Sequence, residues 1–372
     1  MSDTGHFSDE QNDKMNTVNR TSLSEVLNDA ASIVSPRTTL PILGNVLIRF
    51  ADSRMTVEAT DLDLYVSASI EAEIDEPGEI TVPAKRLAAI VRELPSETVG
   101  IEINGEKIVI KSGGAKASLF GLPVDEFPAR ESRTDGARLD VHGSSLIPAL
   151  RRVAYATSTD ESRYILNGIK LEEADGKLIA IATDGKRLAL ADVCESESGM
   201  VGVILPNKAV SAVLKMIDAT DVVSICFGDS FVDFDTGRVS LSTKLIEGSY
   251  PNWRQVMPTT HADTIKIDRE ALLSASRRVS LLVNEKSNAL GFTVMHGQVE
   301  LSAQSPEVGE SRESVECIGD VEEKTAVNPL FLNQCLAALP SEKVEMAFRG
   351  EGQPVTILDA GFQYVLMPMR VG

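Results

Sequence analysis

Cysteine and histidine are scarce in this chain, and where they occur they are scattered. There are four of each among 372 residues. Cys194, Cys226, Cys317 and Cys335 include no Cys-x-x-Cys pair, and His6, His142, His261 and His296 are equally dispersed. Disulfide frameworks and metal sites need clustered spacing, so neither is expected. A reducing cytoplasm with the cysteines as core filler is the consistent reading. Long apolar runs are also missing: none approaches the roughly 20 residues of a membrane span. Met1–Lys14 is polar with no apolar core, which excludes a secretory signal and predicts a disordered tail ahead of Met15. Positive charge is the third shortage. Lys and Arg number 36 against 55 Asp and Glu, a formal charge of −19. Taken alone, that argues against a protein that grips nucleic acid by neutralising phosphates.

What is present is an ordinary globular composition, 43% hydrophobic and 24% charged, written in repeats. Leu43-Gly44-Asn45, Thr60-Asp61, Pro83 and Pro128 recur 123 positions later as Leu166-Asn167-Gly168, Thr183-Asp184, Pro206 and Pro251. A fainter third copy carries Leu290-Gly291-Phe292, Gln304-Ser305, Asn328-Pro329 and Met367-Pro368. A unit far longer than the 20–50 residues of a solenoid repeat is long enough to bury its own core. The expected division is a tail over 1–14 and three domains over 15–136, 137–258 and 259–372.

Each copy shows two amphipathic helices among several strands, an α+β layer arrangement. In the first, Leu23, Val26, Leu27, Ala30, Ile33 and Val34 recur at helical spacing, and Pro36 ends the run. Leu87, Ile90, Val91 and Leu94 stripe a second helix beginning at Pro83. Strands are expected around Val46–Phe50, Met55–Ala59, Tyr65–Ile74, Val99–Ile103 and Lys107–Lys111, the last two joined at Asn104-Gly105. In the second copy Leu146, Leu150 and Val153 mark one helix; Val210, Val213, Leu214 and Ile217 mark the other. In the third, Leu272-Leu273 and then Leu332, Cys335, Leu336 and Leu339 do the same. Ala129–Arg138 and Thr259–Thr264 read as linkers, and Tyr364–Val371 as a closing strand.

The scarce positive charge is concentrated on these helices. Lys85 and Arg92 stand two turns apart on one face, as do Lys208 and Lys215 at the matching places, while Arg151-Arg152 and Arg277-Arg278 occupy the first helices of copies two and three. A basic face of this kind can meet DNA despite the overall sign, because charges beyond a Debye length of about 8–10 Å are screened.

Catalytic signals are weak. Asp235-Thr236-Gly237 has the aspartic-protease triplet, but that chemistry needs two carboxylates sharing a proton, and the triplet occurs once. An aspartic-type hydrolase built on Asp235 is the alternative reading; a hairpin turn is the plain one. Ser112-Gly113-Gly114-Ala115-Lys116 lacks phosphate-loop spacing and also reads as a turn. No catalytic residue, metal or cofactor is expected.

Several motifs together resemble the bacterial DNA polymerase III beta subunit, the replicative sliding clamp family. They are Arg37-Thr38-Thr39-Leu40-Pro41-Ile42-Leu43-Gly44-Asn45, Tyr164–Gly168, Ala182–Leu188, Tyr250-Pro251-Asn252-Trp253-Arg254 and Met367-Pro368-Met369-Arg370, and the match runs from about Met15 to the C-terminus. The resemblance implies three clamp domains per chain, and two chains joined head to tail in a ring whose helices line the hole. It implies a non-catalytic processivity factor whose partners are encircled duplex DNA, the polymerase III catalytic subunit, the clamp loader, and other polymerases and mismatch-repair or ligase factors. Carried over by position, Arg37, Lys85, Arg86, Arg151, Arg152 and Lys208 face DNA, with Asp160-Glu161 an acidic departure in a loop the family places near it. A partner-peptide pocket between the second and third domains would be lined by Leu166, Thr183, Gly185, Lys186, Arg187, Leu188, Pro251, Val256, Val365, Met367, Pro368, Met369 and Arg370, with Arg187 and Arg370 as polar rims. The ring interface would set Lys116 and Ala117, where the family often has an aromatic, against Leu281-Leu282 of the neighbouring subunit.

Overall fold

A computed structural model describes residues 14–34, 39–130, 136–197, 199–200, 202–258, 263–284, 287–350 and 352–369. Among them one order of elements occurs three times: strand, helix, four strands, helix, three strands. The first cycle is β1 (Asn16–Asn19), α1 (Arg20–Ile33), β2 (Asn45–Ala51), β3 (Arg54–Thr60), β4 (Leu64–Glu73), β5 (Gly78–Pro83), α2 (Ala84–Arg92), β6 (Thr98–Asn104), β7 (Lys107–Ser112) and β8 (Ala115–Phe120). The second is β9 (Ala137–His142), α3 (Gly143–Ala154), β10 (Gly168–Ala174), β11 (Lys177–Thr183), β12 (Arg187–Glu195), β13 (Val203–Pro206), α4 (Asn207–Met216), β14 (Val222–Phe227), β15 (Phe231–Asp235) and β16 (Val239–Lys244). The third is β17 (Asp263–Asp268), α5 (Arg269–Val279), β18 (Leu290–Met295), β19 (Gln298–Ser305), β20 (Gly309–Ile318), β21 (Glu323–Val327), α6 (Pro329–Ala338), β22 (Lys343–Phe348), β23 (Val355–Asp359) and β24 (Phe362–Leu366).

Three of the six described helices, α1, α5 and α6, start at a side-chain cap. Asn19, Asp268 and Asn328 each accept a backbone N–H from the first turn, of Ser22 (3.1 Å), Ala271 (2.7 Å) and Leu330 (2.9 Å) respectively, each cap worth about 1 kcal/mol. Leu23, Val26, Leu27, Ala30 and Ile33 form the buried stripe of α1, and Ala84, Leu87, Ala88 and Val91 that of α2, with Leu94 buried just beyond its end. The two helices pack on each other.

Residues 1–134 with 233–243 form one compact unit, and residues 135–232 with 244–372 form another. Three cycles make two units because strand pairing ignores the cycle boundaries. In the first unit, antiparallel β4 pairs with β3 along one edge and with β1 and the Val239–Thr243 part of β16 along the other. β8, β7, β6, β1 and β4 follow one another in that sheet, with β8 at its end. In the second unit, β12 pairs with β24 and so fuses the second and third cycles into one 12-stranded sheet, β13-β10-β11-β12-β24-β23-β22-β17-β20-β19-β18-β21.

Four local expectations shift. The hairpin loop is Gly105-Glu106 rather than Asn104-Gly105, because Asn104 still pairs with Lys107 and Gly105 supplies the positive φ of 58°. Gly113-Gly114 is a two-residue loop, and the residues after it continue as β8. Ala137 and Arg138, expected in a linker, already pair with Phe227 and Cys226; residues 131–135 and 259–262 of the two linkers lie outside the described residues, as does the tail over 1–13. The closing strand stops at Leu366. There Met367 N–H turns to Lys186 O (3.1 Å) and Met369 N–H to Ala326 O (2.7 Å), while Pro368 between them has no N–H to extend a ladder.

Candidate functional site

The stretch Thr183–Leu188 forms a turn closed by its own side chains. Thr183 Oγ1 donates to Arg187 O (2.6 Å) and accepts from Gly185 N (3.1 Å), while Asp184 Oδ1 accepts from Lys186 N (2.9 Å) and Arg187 N (3.1 Å). Gly185 at φ 85° is the tip. Because the turn satisfies its own backbone, it leaves the carbonyl of Lys186 to hold Met367, which fixes the terminal segment beside it.

Beneath the turn lies an apolar cluster of Ile179, Ile181, Leu188, Leu190, Trp253 and Val365, with Tyr250 and Met257 packed against it. Strand alternation puts Ile179 and Ile181 of β11 on the face shared by Leu188 and Leu190 of β12, and Leu188 is the register partner of Val365. Trp253 is buried, and its Nε1–H donates to Glu172 Oε1 (2.8 Å), which also accepts from Arg254 Nη1 (3.0 Å). Burial alone would raise the Glu172 carboxyl. Hydrogen bonds from Lys170 and Trp253, with the charges of Lys170 and Arg254, outweigh burial and hold it below the ordinary range. Three large apolar residues of the neighbouring sequence motifs, Tyr164, Val256 and Met367, are 57%, 45% and 42% exposed, too much for core residues. Pro251 is exposed, and Leu166 is half-buried at the end of the Glu161–Leu166 3₁₀ turn. Pro368 and Met369 line a neighbouring cavity of about 860 Å³ with Val294, Met295 and Ala326.

Arg187 does not form the polar rim expected of it. It is 7% exposed, with Nε on Asp184 Oδ2 (3.0 Å), Nη1 on Gln334 Oε1 (2.5 Å) and Nη2 on the Tyr155 carbonyl. Its guanidinium lies 4.1 Å from the Phe331 ring centroid and 5.5 Å from that of Tyr155. A planar fork with five donors satisfies these partners at once, so Arg187 ties the end of α3, the turn and α6 together. Arg370 lies outside the described residues. Sequence reasoning missed Ile179, Ile181 and Trp253 as the floor; the alternation in β11 and β12 was the available signal.

The helices carry eleven Lys and Arg residues and only three acidic ones, Glu25, Asp29 and Glu270, in a chain of charge −19. Lys85 and Arg86 are exposed in the first turn of α2, Arg151 at the end of α3, and Lys208 near the start of α4. Arg152 is only half exposed and donates to Ala360 O (3.1 Å); Arg37 lies outside the described residues. Arg92, Lys215 and Arg277-Arg278 occupy last turns, where cations also complement the helix dipole. Arg278 is committed to Glu313 through Nε–Oε2 (3.0 Å) and Nη2–Oε1 (2.5 Å). The acidic Asp160 is a cap: its carboxylate accepts from Ser162 Oγ and N, which lowers its pKa.

Lys116 is exposed and Ala117 half-buried on the end strand β8, beside Phe120, 74% exposed with Lys107 Nζ 5.8 Å from its ring centroid. Leu281 is 82% exposed and Leu282 half-buried in a short 3₁₀ turn after α5. Asp235 is exposed at the end of β15, and its Oδ1 accepts from Gly237 N (2.6 Å), the turn role rather than the catalytic one. Burial pushes the Cys335 thiol up to about 12, in keeping with a core residue. Among the described residues no group of His, Cys, Asp or Glu is arranged to hold a metal, and no helix is long and apolar enough to cross a membrane.

Three family models match in succession: the N-terminal domain of the DNA polymerase III beta subunit over residues 15–131, its central domain over 140–252 and its C-terminal domain over 254–370. The chain is 33% identical over 369 residues to a beta sliding clamp of Caulobacter vibrioides, covering 95% of this chain and 99% of that one. It is 31% identical to one of Pseudomonas putida, covering 95% and 99%. Among solved structures it resembles the sliding clamp of Pseudomonas aeruginosa bound to griselimycin, with TM-score 0.91, 28% identity and 96% and 100% coverage. The Bartonella birtlesii sliding clamp bound to griselimycin gives TM-score 0.89 at 32% identity, with the same coverage.

Proposed function

Because this chain belongs to the DNA polymerase III beta subunit family, we propose that it holds DNA by enclosure and holds its partners in the groove floored by Leu188, Trp253 and Val365. It is a sliding clamp, a non-catalytic processivity factor for DNA polymerase III, built from three clamp domains. The proposed domain limits are 15–136, 137–258 and 259–372. The observation that carries the reading is the charge segregation: helices rich in Lys and Arg in a chain of −19. A topological link does not need high affinity, so weak sequence-independent phosphate contacts suffice, and an acidic remainder discourages DNA from binding elsewhere. Arg37, Lys85, Arg86, Arg151, Arg152 and Lys208 are the proposed contacts; Arg152, already bonded to Ala360, contributes least.

Two chains form the ring in this proposal, with Lys116 and Ala117 on β8 meeting Leu281 and Leu282 of a second copy. The groove takes a short apolar peptide from the polymerase catalytic subunit, the clamp loader, or other polymerase, mismatch-repair and ligase factors, in the cytoplasm. Its lining is Leu166, Thr183, Gly185, Lys186, Leu188, Pro251, Val256, Val365, Met367, Pro368 and Met369, with Arg370 beyond the described residues and Arg187 holding the frame from behind. Two or three buried apolar side chains at about 1.5–3 kcal/mol each, less ordering costs, give micromolar affinity and easy exchange of partners.

The test is anisotropy of a labelled Gln-Leu-x-Leu-Phe peptide titrated with the full chain and with a truncation lacking Met367–Gly372. Micromolar binding lost on truncation supports the groove. No binding to the folded full chain rejects it.

A further inference from the structure

β21 ends the 12-stranded sheet of the second unit, with β18 as its neighbour on one side. In an antiparallel ladder the N–H and C=O of one residue face the same edge, and residues two apart share that edge. Ala326 O accepts from Met369 N (2.7 Å), so Ala326, and Lys324 with it, turn their backbone groups away from β18. The outward Lys324 N–H is met by the side chain of its own neighbour, Glu323 Oε1 (3.1 Å), in an exposed bond. An edge of this kind is a template for one more strand.

The cavity of about 860 Å³ lies along this edge. Residues 322–326 line it, together with Met295 of β18, Gly350 and Gly352 of the loop between β22 and β23, and Pro368-Met369. A Cβ built on either glycine would meet nothing within 4 Å, so that wall leaves room for a passing chain. Met295 is 46% exposed. Thr325 Oγ1 is buried and, among the described residues, has no hydrogen-bond partner, a vacancy that an incoming backbone can fill. The cavity is also continuous with the groove. Met367 N–H is bonded to Lys186 O in the groove's turn, and Met369 N–H, two residues on, to Ala326 O at the head of the open edge.

We propose that the free edge of β21 takes the residues flanking the apolar motif of the partner peptide as an added strand. The partner is then held by backbone hydrogen bonds as well as by the apolar floor. This rests on reading the groove as a peptide site. At about 3.3 Å per residue, the edge along residues 322–326 has room for roughly four added residues. Ladder bonds are made to backbone, so the flank is defined by β-propensity rather than by one sequence. Glu322 and Glu323 against the single Lys324 disfavour an acidic flank, so the occupant is a neutral or basic extended segment.

The test is isothermal titration of the full chain with Gln-Leu-x-Leu-Phe, and with the same peptide carrying Thr-Val-Thr-Val at one end or the other. One extension should bind about tenfold tighter than the core peptide, and N-methylation of its four added residues should remove the gain. Lys324→Pro deletes the outward N–H and spares the ladder to β18; its folding is checked by thermal melting. It should abolish the gain and leave the affinity of the core peptide unchanged. No gain from either extension, or a gain that survives N-methylation, overturns the inference and leaves the groove standing. A gain undiminished in the folded Lys324→Pro variant does the same. No binding of the core peptide rejects the groove, and the inference with it.

Discussion

Trp253 and Glu172 lie 81 residues apart and are joined by a 2.8 Å hydrogen bond from the indole N–H to Oε1. The bond anchors the largest side chain of the apolar floor, and the Arg254 guanidinium, 4.3 Å from the indole ring centroid, covers its outer side. A buried carboxylate fixes the apolar surface on which the proposed peptide rests.

That arrangement gives a pH dependence. The Glu172 carboxyl is held below its ordinary value in the folded chain, so its stabilising contribution is complete above the unfolded value of about 4.3 and is lost as pH falls through the lower folded one. Glu172→Gln should melt below the wild type at pH 7, and the gap should close on acidification. A gap that persists at the acid end would show that packing, not charge, is responsible.

Arg187→Ala leaves Asp184, the Tyr155 carbonyl and Gln334 facing a void. Loss of one partner of such a buried set costs roughly 3–5 kcal/mol, read as a lower urea midpoint. Arg187→Lys should rescue little, because an ammonium cannot reproduce the fork or the stacking on Phe331.

Met367→Ala should leave melting within a degree or two, since the side chain is 42% exposed. Peptide affinity should drop about tenfold, the equivalent of about 1.4 kcal/mol, in the same anisotropy titration.

Replacing Lys85 and Arg86 with Ala should weaken binding to duplex DNA uniformly across sequences. It should also reduce the slope of log K against log salt by about 1.8, two phosphate contacts at about 0.9 each. Asp235→Asn, which keeps the Oδ1 that accepts from Gly237 N and removes only the charge, should change neither DNA nor peptide binding.

Leu281→Asp and Phe120→Asp place charge on residues 82% and 74% exposed, so the folded chain should tolerate both. If these surfaces meet in a head-to-tail pair, sedimentation at micromolar concentration should show dimers for the wild type and monomers for each variant. A dimer unaffected by both would move the interface elsewhere.

The triplication, the α+β class, the basic helices and most of each helix stripe were legible in the sequence, Ile90 and Leu214 being the stripe residues that are only half-buried. They depend on local periodicity and on an offset that never slips between the first two copies, and chain-local physics is enough to read them. The turn at Thr183–Arg187 was legible as a motif too, because its bonds join residues at most four apart. Only the tertiary structure decided what that motif is for. Arg187 looked like a rim charge and is a buried strut, because its partners are the Tyr155 carbonyl just past α3, 32 residues away, and Gln334 and Phe331 of α6, the former 147 residues away. The same kind of turn, built at Thr60–Leu64 and at Thr183–Arg187, is followed by a residue paired with Ser242 in one unit and with Val365 in the other. Strands β16 and β24 bring Ser242 and Val365 to their turns from roughly 180 positions away, a distance over which sequence pattern carries no contact information.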